Sequence, residues 1–328
     1  MLKWISKSGT FIQFTIFAVL LIITWFFAFL NPLPPVQTPA DGPLYTFLAS
    51  WLNPYPIASV SVALVLIVIQ ALILFYIFQA NGFFKRGNFL PAIIILLAYS
   101  WNSNFQTLHS ILPAGILIIV SINSIMRMYG QTAAYHQLFT ASFSIGIASL
   151  FYTPLAYLMI MIWLTLITYR ISTWREYAVS LVGFILPVIY YLSWLFWIDE
   201  LTSGLNRLSD SMFHFVLAPQ LSTVDTIWFS VSAFIMVLTM VAVLNIMNDK
   251  LISLRRRSWV MFNLSITVVI LMLLSGWPML SANYLFIFPI SFFITGSLTL
   301  IKKRFWFEMM ALGYFIIFII VRVYLAIS

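Results

Sequence analysis

Residues 57–80 read Ile57-Ala58-Ser59-Val60-Ser61-Val62-Ala63-Leu64-Val65-Leu66-Ile67-Val68-Ile69-Gln70-Ala71-Leu72-Ile73-Leu74-Phe75-Tyr76-Ile77-Phe78-Gln79-Ala80, without one charged side chain. A run this long exceeds the roughly 20 apolar residues that a helix needs to cross a hydrocarbon core. It has no period-2 alternation, and backbone groups in lipid must be paired internally, so it predicts a transmembrane helix. The pattern recurs along the chain. Eleven spans are expected: 11–30, 57–80, 89–101, 109–127, 137–152, 154–169, 177–197, 226–247, 259–276, 284–301 and 306–326. The third, fifth and sixth are short for a full crossing and are expected to be tilted, broken or partly re-entrant.

Composition agrees. Of 328 residues, 63% are apolar and 7% charged, with mean hydropathy +1.05, against roughly 25% charged in a soluble domain. The expected fold class is all-α, a single polytopic membrane domain over 1–328. A secreted soluble enzyme, a Rossmann-type dehydrogenase and a disordered chain are excluded. The absence of cysteine removes disulfides, iron–sulfur clusters, thiolate zinc sites and cysteine nucleophiles. The net charge of +8 is scattered in short clusters between apolar runs. That suits membrane topology and anionic lipid heads as partners, not nucleic acid.

The positive-inside rule then orients the chain. With the N-terminus in the cytoplasm, the inner side receives Lys3, Lys7, Lys85, Arg86, Arg127, Arg170, Arg175, Lys250, Arg255, Arg256, Arg257, Lys302, Lys303 and Arg304. Only Arg207 and Arg322 of the 16 basic residues fall outside, together with Asp41, Asp199, Glu200, Asp210 and Asp225 of the 8 acids. The expectation is an inner (cytoplasmic) membrane protein with its C-terminus on the outer side. The first apolar segment ends in Phe29-Leu30-Asn31-Pro32 without a small-residue cleavage pattern, and reads as a retained helix.

The two longest polar stretches, 31–56 and 198–225, are expected outer loops. In the first, four prolines at 32, 34, 35 and 39 hold an extended path. After Asp41-Gly42-Pro43, residues Leu44, Phe47, Leu48, Trp51 and Leu52 recur at helical spacing, which predicts an amphipathic helix in the outer interface plane. Asp41 has two readings: a cap on that helix, or a carboxylate displayed by a rigid loop for chemistry.

In the second loop, Asp199 and Glu200 follow the aromatic Trp194–Trp197 belt, and Arg207, Asp210, His214 and Asp225 come after. Asp210 and His214, four apart, share a helix face, a spacing that suits a metal pair or a solvated pair. Arg322 either snorkels to lipid phosphate or holds the phosphate of a bound lipid. His109, at the outer start of the fourth span, is a structural hydrogen-bonded group or an acid–base. His136 is expected to be cytoplasmic, Glu308 pairs with Arg304 at i+4, and Arg175-Glu176 reads as an interface anchor. No P-loop, Gly-x-Gly-x-x-Gly or His-Glu-x-x-His pattern occurs. No row of intramembrane acids marks a pump.

Asp41-Gly42-Pro43-Leu44-Tyr45 resembles the Asp-Glu-x-x-Tyr pattern in the first outer loop of GT-C glycosyltransferases. Two helices of uneven length over 89–127, the run Phe143-Ser144-Ile145-Gly146-Ile147-Ala148-Ser149-Leu150-Phe151-Tyr152-Thr153-Pro154, the pair Arg170 and Arg175, and the Gly183–Pro187 helix follow in similar order. The likeness covers roughly residues 1–190. It departs where Gly42 stands in place of the second acid, and no soluble C-terminal domain is expected. The whole chain also resembles a group of bacterial multi-pass membrane proteins without assigned activity.

The resemblance implies a GT-C-like helical module over 1–197, an outer loop over 198–225 and C-terminal helices over 226–328. It implies inverting transfer of a sugar from a polyprenyl-phosphate carrier to an acceptor on the outer face. Asp41 would be the general base, or the ligand of a divalent metal ion. Tyr45, His109, Asp199, Glu200, Arg207, His214 and Arg322 would contact substrate. Two other readings stay open: a non-enzymatic scaffold or subunit that docks envelope protein partners, and a lipid or solute transporter. Eleven uneven helices do not halve as transporter repeats do.

Overall fold

The computed structural model describes residues 10–85, 87–100, 106–131, 134–171, 173–212, 223–248, 251–275 and 279–300, and among them the chain is all-helical. In chain order the helices are α1 (Thr10–Leu30), α2 (Pro43–Leu52), α3 (Pro56–Ala80), α4 (Leu90–Tyr99), α5 (Ile111–Met128), α6 (Tyr135–Phe151) and α7 (Met159–Tyr169). They continue as α8 (Trp174–Trp197), α9 (Leu201–Met212), α10 (Thr223–Asn248), α11 (Ile252–Ser275) and α12 (Met279–Leu300). A 3₁₀ turn, Thr153–Leu158, runs into α7. The expected span at 306–326 lies outside the described residues, as do His214 and Arg322.

Among the described residues, four helices, α1, α3, α5 and α8, are long and apolar enough to cross a membrane, and shorter apolar helices accompany them. This is a multi-pass arrangement. Prolines at the first turns of α2, α3 and α4 mark their starts, where a missing amide costs no intrahelical bond. The helices alternate between two ends. One, the loop end, carries residues 31–55, 106–110, 151–153 and α9. The other, the basic end, carries Lys85, Arg127, Arg170, Arg175 and Arg255–Arg257.

The third span departs most from a plain crossing. α4 has 10 residues, all of them buried, and at 1.5 Å per residue it covers about half of a hydrocarbon core. Its start is capped from α1, where Gln13 Oε1 accepts the Phe89 amide at 2.6 Å. Beyond it, residues 106–110 run through the interior without forming a long helix, and all are buried. Irregular backbone at such depth needs partners from the protein itself. Gln106 donates to the Thr24 carbonyl at 2.7 Å, the Leu108 amide meets Ser59 Oγ at 3.3 Å, and Thr107 Oγ1 bonds the Leu33 and Pro34 carbonyls.

The remaining packing follows from small residues and aromatics. A Cβ on Gly146 would lie 2.5 Å from the Phe184 carbonyl, and one on Gly183 would lie 2.2 Å from Ser142 Oγ. Glycine at both positions lets α6 and α8 approach closely. At the basic end, Phe78, Phe83, Phe84 and Phe292 cluster with ring centroids 4.9–6.5 Å apart, joining α3 to α12.

Two expectations change here. The stretch 198–225 is not all loop, because α9 occupies Leu201–Met212. The spacing of Asp210 and His214 points only to its last turn, and His214 itself lies outside the described residues. In α2, Tyr45 and Ala49 point inward, whereas Phe47 and Trp51 of the expected apolar face are exposed and pair at 5.8 Å. The helix thus turns Phe47 and Trp51 outward and packs Tyr45 and Ala49, with Leu48 and Leu52 beside them, against the bundle.

Candidate functional site

The site is assembled at the loop end, where the proline-rich segment meets the break between α6 and α7. Thr38-Pro39-Ala40-Asp41 forms a turn, with the Asp41 amide donating to the Thr38 carbonyl at 3.1 Å and Pro39 at the position that favours such turns. The carboxylate closes the same turn from the other side. Asp41 Oδ2 accepts the Thr38 amide at 2.6 Å, and Oδ1 accepts the Thr38 hydroxyl at 2.9 Å.

Asp41 therefore does not cap α2. The N-cap of that helix is Gly42, and it has no side-chain cap bond. Ser110, next to His109 at the start of α5, adds a hydrogen bond to the Asp41 carboxyl. Burial nevertheless lifts this carboxyl above its usual range, because the hydrogen bonds from Ser110 and Thr38 offset only part of the desolvation.

The backbone on either side of Asp41 is fastened to residues 151–153. Asp41 and Tyr152 form an antiparallel bridge. The Gly42 amide donates to the Phe151 carbonyl at 2.8 Å, and the Thr153 amide to the Ala40 carbonyl at 3.2 Å. Tyr152 is extended, so the chain breaks there before Pro154 restarts it. This pairing explains Gly42. A Cβ at position 42 would lie 2.1 Å from the Leu150 carbonyl oxygen, so a second acid has no room at this position.

Tyr45, one turn into α2, is wholly buried. Its hydroxyl is shared between the Val36 carbonyl at 2.5 Å and the Leu108 carbonyl at 2.9 Å. Burial first, and the neighbouring Asp41 charge second, make its ionisation harder than usual. The tyrosine ties the proline segment to the buried 106–110 stretch. His109 is buried in that stretch, with its ring 3.6 Å from that of Tyr284 on α12. Below it, Tyr99 donates to Gln70 Oε1 at 2.9 Å and Gln70 Nε2 to the Leu112 carbonyl at 2.7 Å, all buried.

The other expected residues lie apart. Asp199, Glu200 and Arg207 are exposed on the α8–α9 connection and on α9. Asp199 has φ +55°, and the Glu200 carbonyl accepts from Gly204 and Ser203 at the start of α9. α9 is docked through Ser211 Oγ, which lies 3.0 Å from Thr153 Oγ1 beside the Asp41 junction. Arg207 makes no ion pair with Asp41 among the described residues. Sequence reading missed Thr38, Ser110, Gln70 and Tyr99. The Thr-Pro-x-Asp turn signature pointed to the first, and a glutamine inside an apolar span pointed to the third.

A divalent metal at Asp41 does not fit these residues. Magnesium and calcium take six or more oxygen ligands, commonly with further carboxylates, and zinc takes three or four protein side chains. Here both carboxylate oxygens accept from Thr38, Gly42 stands where the second acid would be, and no group of three His, Asp or Glu occurs among the described residues. The chain matches no family model, no curated protein and no solved structure at a significant level.

Proposed function

We propose that this is a GT-C-like protein of the inner membrane that transfers a sugar from a polyprenyl-phosphate carrier to an acceptor at the face bearing Asp41. In this reading the basic end lies in the cytoplasm with the N-terminus, eleven helices span, and the C-terminus lies outside. The observation that carries the reading is the Asp41 carboxyl. It is a single carboxylate on a proline-braced turn, made more basic by burial, between two helices (α2 and α9) that lie at the same end.

A carboxylate moved toward neutrality is suited to general-base work. Asp41 would take the proton of an acceptor hydroxyl while that oxygen attacks the anomeric carbon. The bond from that carbon to the phosphate oxygen would break, with inversion, and the polyprenyl phosphate would leave. Arg207, and with it His214 or Arg322, would hold the leaving phosphate as charge-assisted donors. Tyr45 and His109 enter as positioning residues, since both are buried. Asp199 and Glu200 would contact the polar part of the substrate from the α8–α9 connection.

Transfer of labelled sugar from a polyprenyl-phosphate donor into membranes, compared between the parent and Asp41→Asn, tests this reading. Loss of transfer with retained folding supports it, and equal rates remove Asp41 as base. Labelling of single cysteines introduced into this cysteine-free chain at 31–56 and at 170–175 tests the orientation.

A second reading is a non-enzymatic scaffold or subunit of an envelope complex. What favours it is the use of the motif itself. Asp41, Gly42 and Tyr45 are all engaged in fastening the loop to the bundle, and Arg207 does not converge on them. Under this reading Asp41→Asn changes stability and partner capture but no chemistry.

A further inference from the structure

The basic end presents a second constellation, separate from the Asp41 junction. Tyr169 closes α7, and its ring meets that of Tyr129, just past α5, edge-on at 5.3 Å. Arg256 and Arg257 reach the same place from α11, and both charges bear on the Tyr169 hydroxyl. Arg256 donates to the Thr168 carbonyl, and Asn263 bonds the hydroxyls of Thr165 at 3.1 Å and Thr168 at 3.4 Å. These bonds fix α11 against the end of α7.

Two donors in this setting are buried without a hydrogen-bond partner among the described residues: the Tyr169 hydroxyl and Arg257 Nε. Burying a donor without an acceptor is unfavourable. The carboxylates do not answer the need. Of the described acids, only Glu176 lies at this end, and it is buried and engaged by the Thr173 hydroxyl.

We propose that Arg256, Arg257, Tyr129 and Tyr169 form a binding site for a phosphate-bearing anion. A phosphate group offers several acceptor oxygens at once, enough for a hydroxyl, an Nε–H and a second guanidinium. Basic pockets between helices on one side of a membrane suit phospholipid headgroups. Exposed Ile167, Leu251 and Ile252 at the same end give acyl chains an apolar surface. The shared chemistry is the phosphate, carried by an anionic phospholipid or free in solution.

The test uses the full chain, delipidated in detergent and mixed with phosphatidylglycerol or phosphatidylcholine, with retained lipid counted by native mass spectrometry. The parent is expected to retain phosphatidylglycerol about tenfold better than phosphatidylcholine. Arg257→Gln combined with Tyr169→Phe abolishes the preference, while Arg127→Gln, an exposed cation at the same end, preserves it. Tyr169→Phe alone keeps the ring and its packing, and gives the same direction where the double variant fails to fold. Displacement of the lipid by millimolar inorganic phosphate supports the site with a soluble source. Equal retention by the parent and Tyr169→Phe, or indifference of the parent to phosphatidylglycerol and inorganic phosphate alike, overturns it.

Discussion

Gly42 and Leu150 lie so close that a Cβ at position 42 would sit 2.1 Å from the Leu150 carbonyl oxygen. The contact is backbone against backbone, so no rotamer relieves it. Gly42→Ala is expected to destabilise by about 1–3 kcal/mol through overpacking, read as a lower melting temperature in detergent. Gly42→Glu, which writes an Asp-Glu pair into the sequence, is expected to lower folded yield further instead of creating a diacid. An unchanged melting temperature for Gly42→Ala would refute the packing described here.

The raised Asp41 carboxyl sets a pH dependence. Its protonated form is favoured in the fold, so above the usual value of 3.8 the native state binds more protons than the unfolded state. Stability therefore falls as pH rises from about that value through the raised one, and levels off beyond it. Asp41→Asn should flatten this slope. Melting curves of both proteins across the acid-to-neutral range measure it, and parallel curves would show that Asp41 contributes nothing.

Tyr45→Phe removes the donor shared by the half-buried Val36 carbonyl and the buried Leu108 carbonyl, the second of which keeps only the Val36 amide. A cost of about 1–3 kcal/mol is expected. Hydrogen exchange should quicken at Val36, whose amide donates to Leu108, and less so in α6. Exchange that rises uniformly along the chain would point to global destabilisation instead.

Gln70 bridges α4 and α5 through Tyr99 and the Leu112 carbonyl. Gln70→Leu and Tyr99→Phe share a partner, so their effects should not add. The double variant is expected to cost less than the sum by about 0.5 kcal/mol or more. Additive melting shifts would mean the bond contributes nothing measurable.

Arg207 is exposed and unpaired with Asp41, so Arg207→Gln should alter stability by no more than about 0.5 kcal/mol. A drop in sugar transfer with unchanged melting would then report on the substrate phosphate. Unchanged transfer would take Arg207 out of the proposed site.

The apolar runs alone specified that the chain is helical and multi-pass, and the helix boundaries of α1, α3 and α5–α8 follow from them within a few residues, because hydrophobic length and proline starts are local properties. They also exposed the short helix α2 and the shortness of the third span. Which side of α2 turns inward was not legible. Tyr45 takes the buried side because two carbonyls, at Val36 and Leu108, meet its hydroxyl, and one of them is 63 residues away. The pairing of Asp41 with Tyr152, the need for glycine at 42 and the burial of His109 against Tyr284 were likewise decided only in three dimensions. Each depends on a partner distant in sequence, and no local pattern encodes which carbonyl or ring a folded chain will bring alongside.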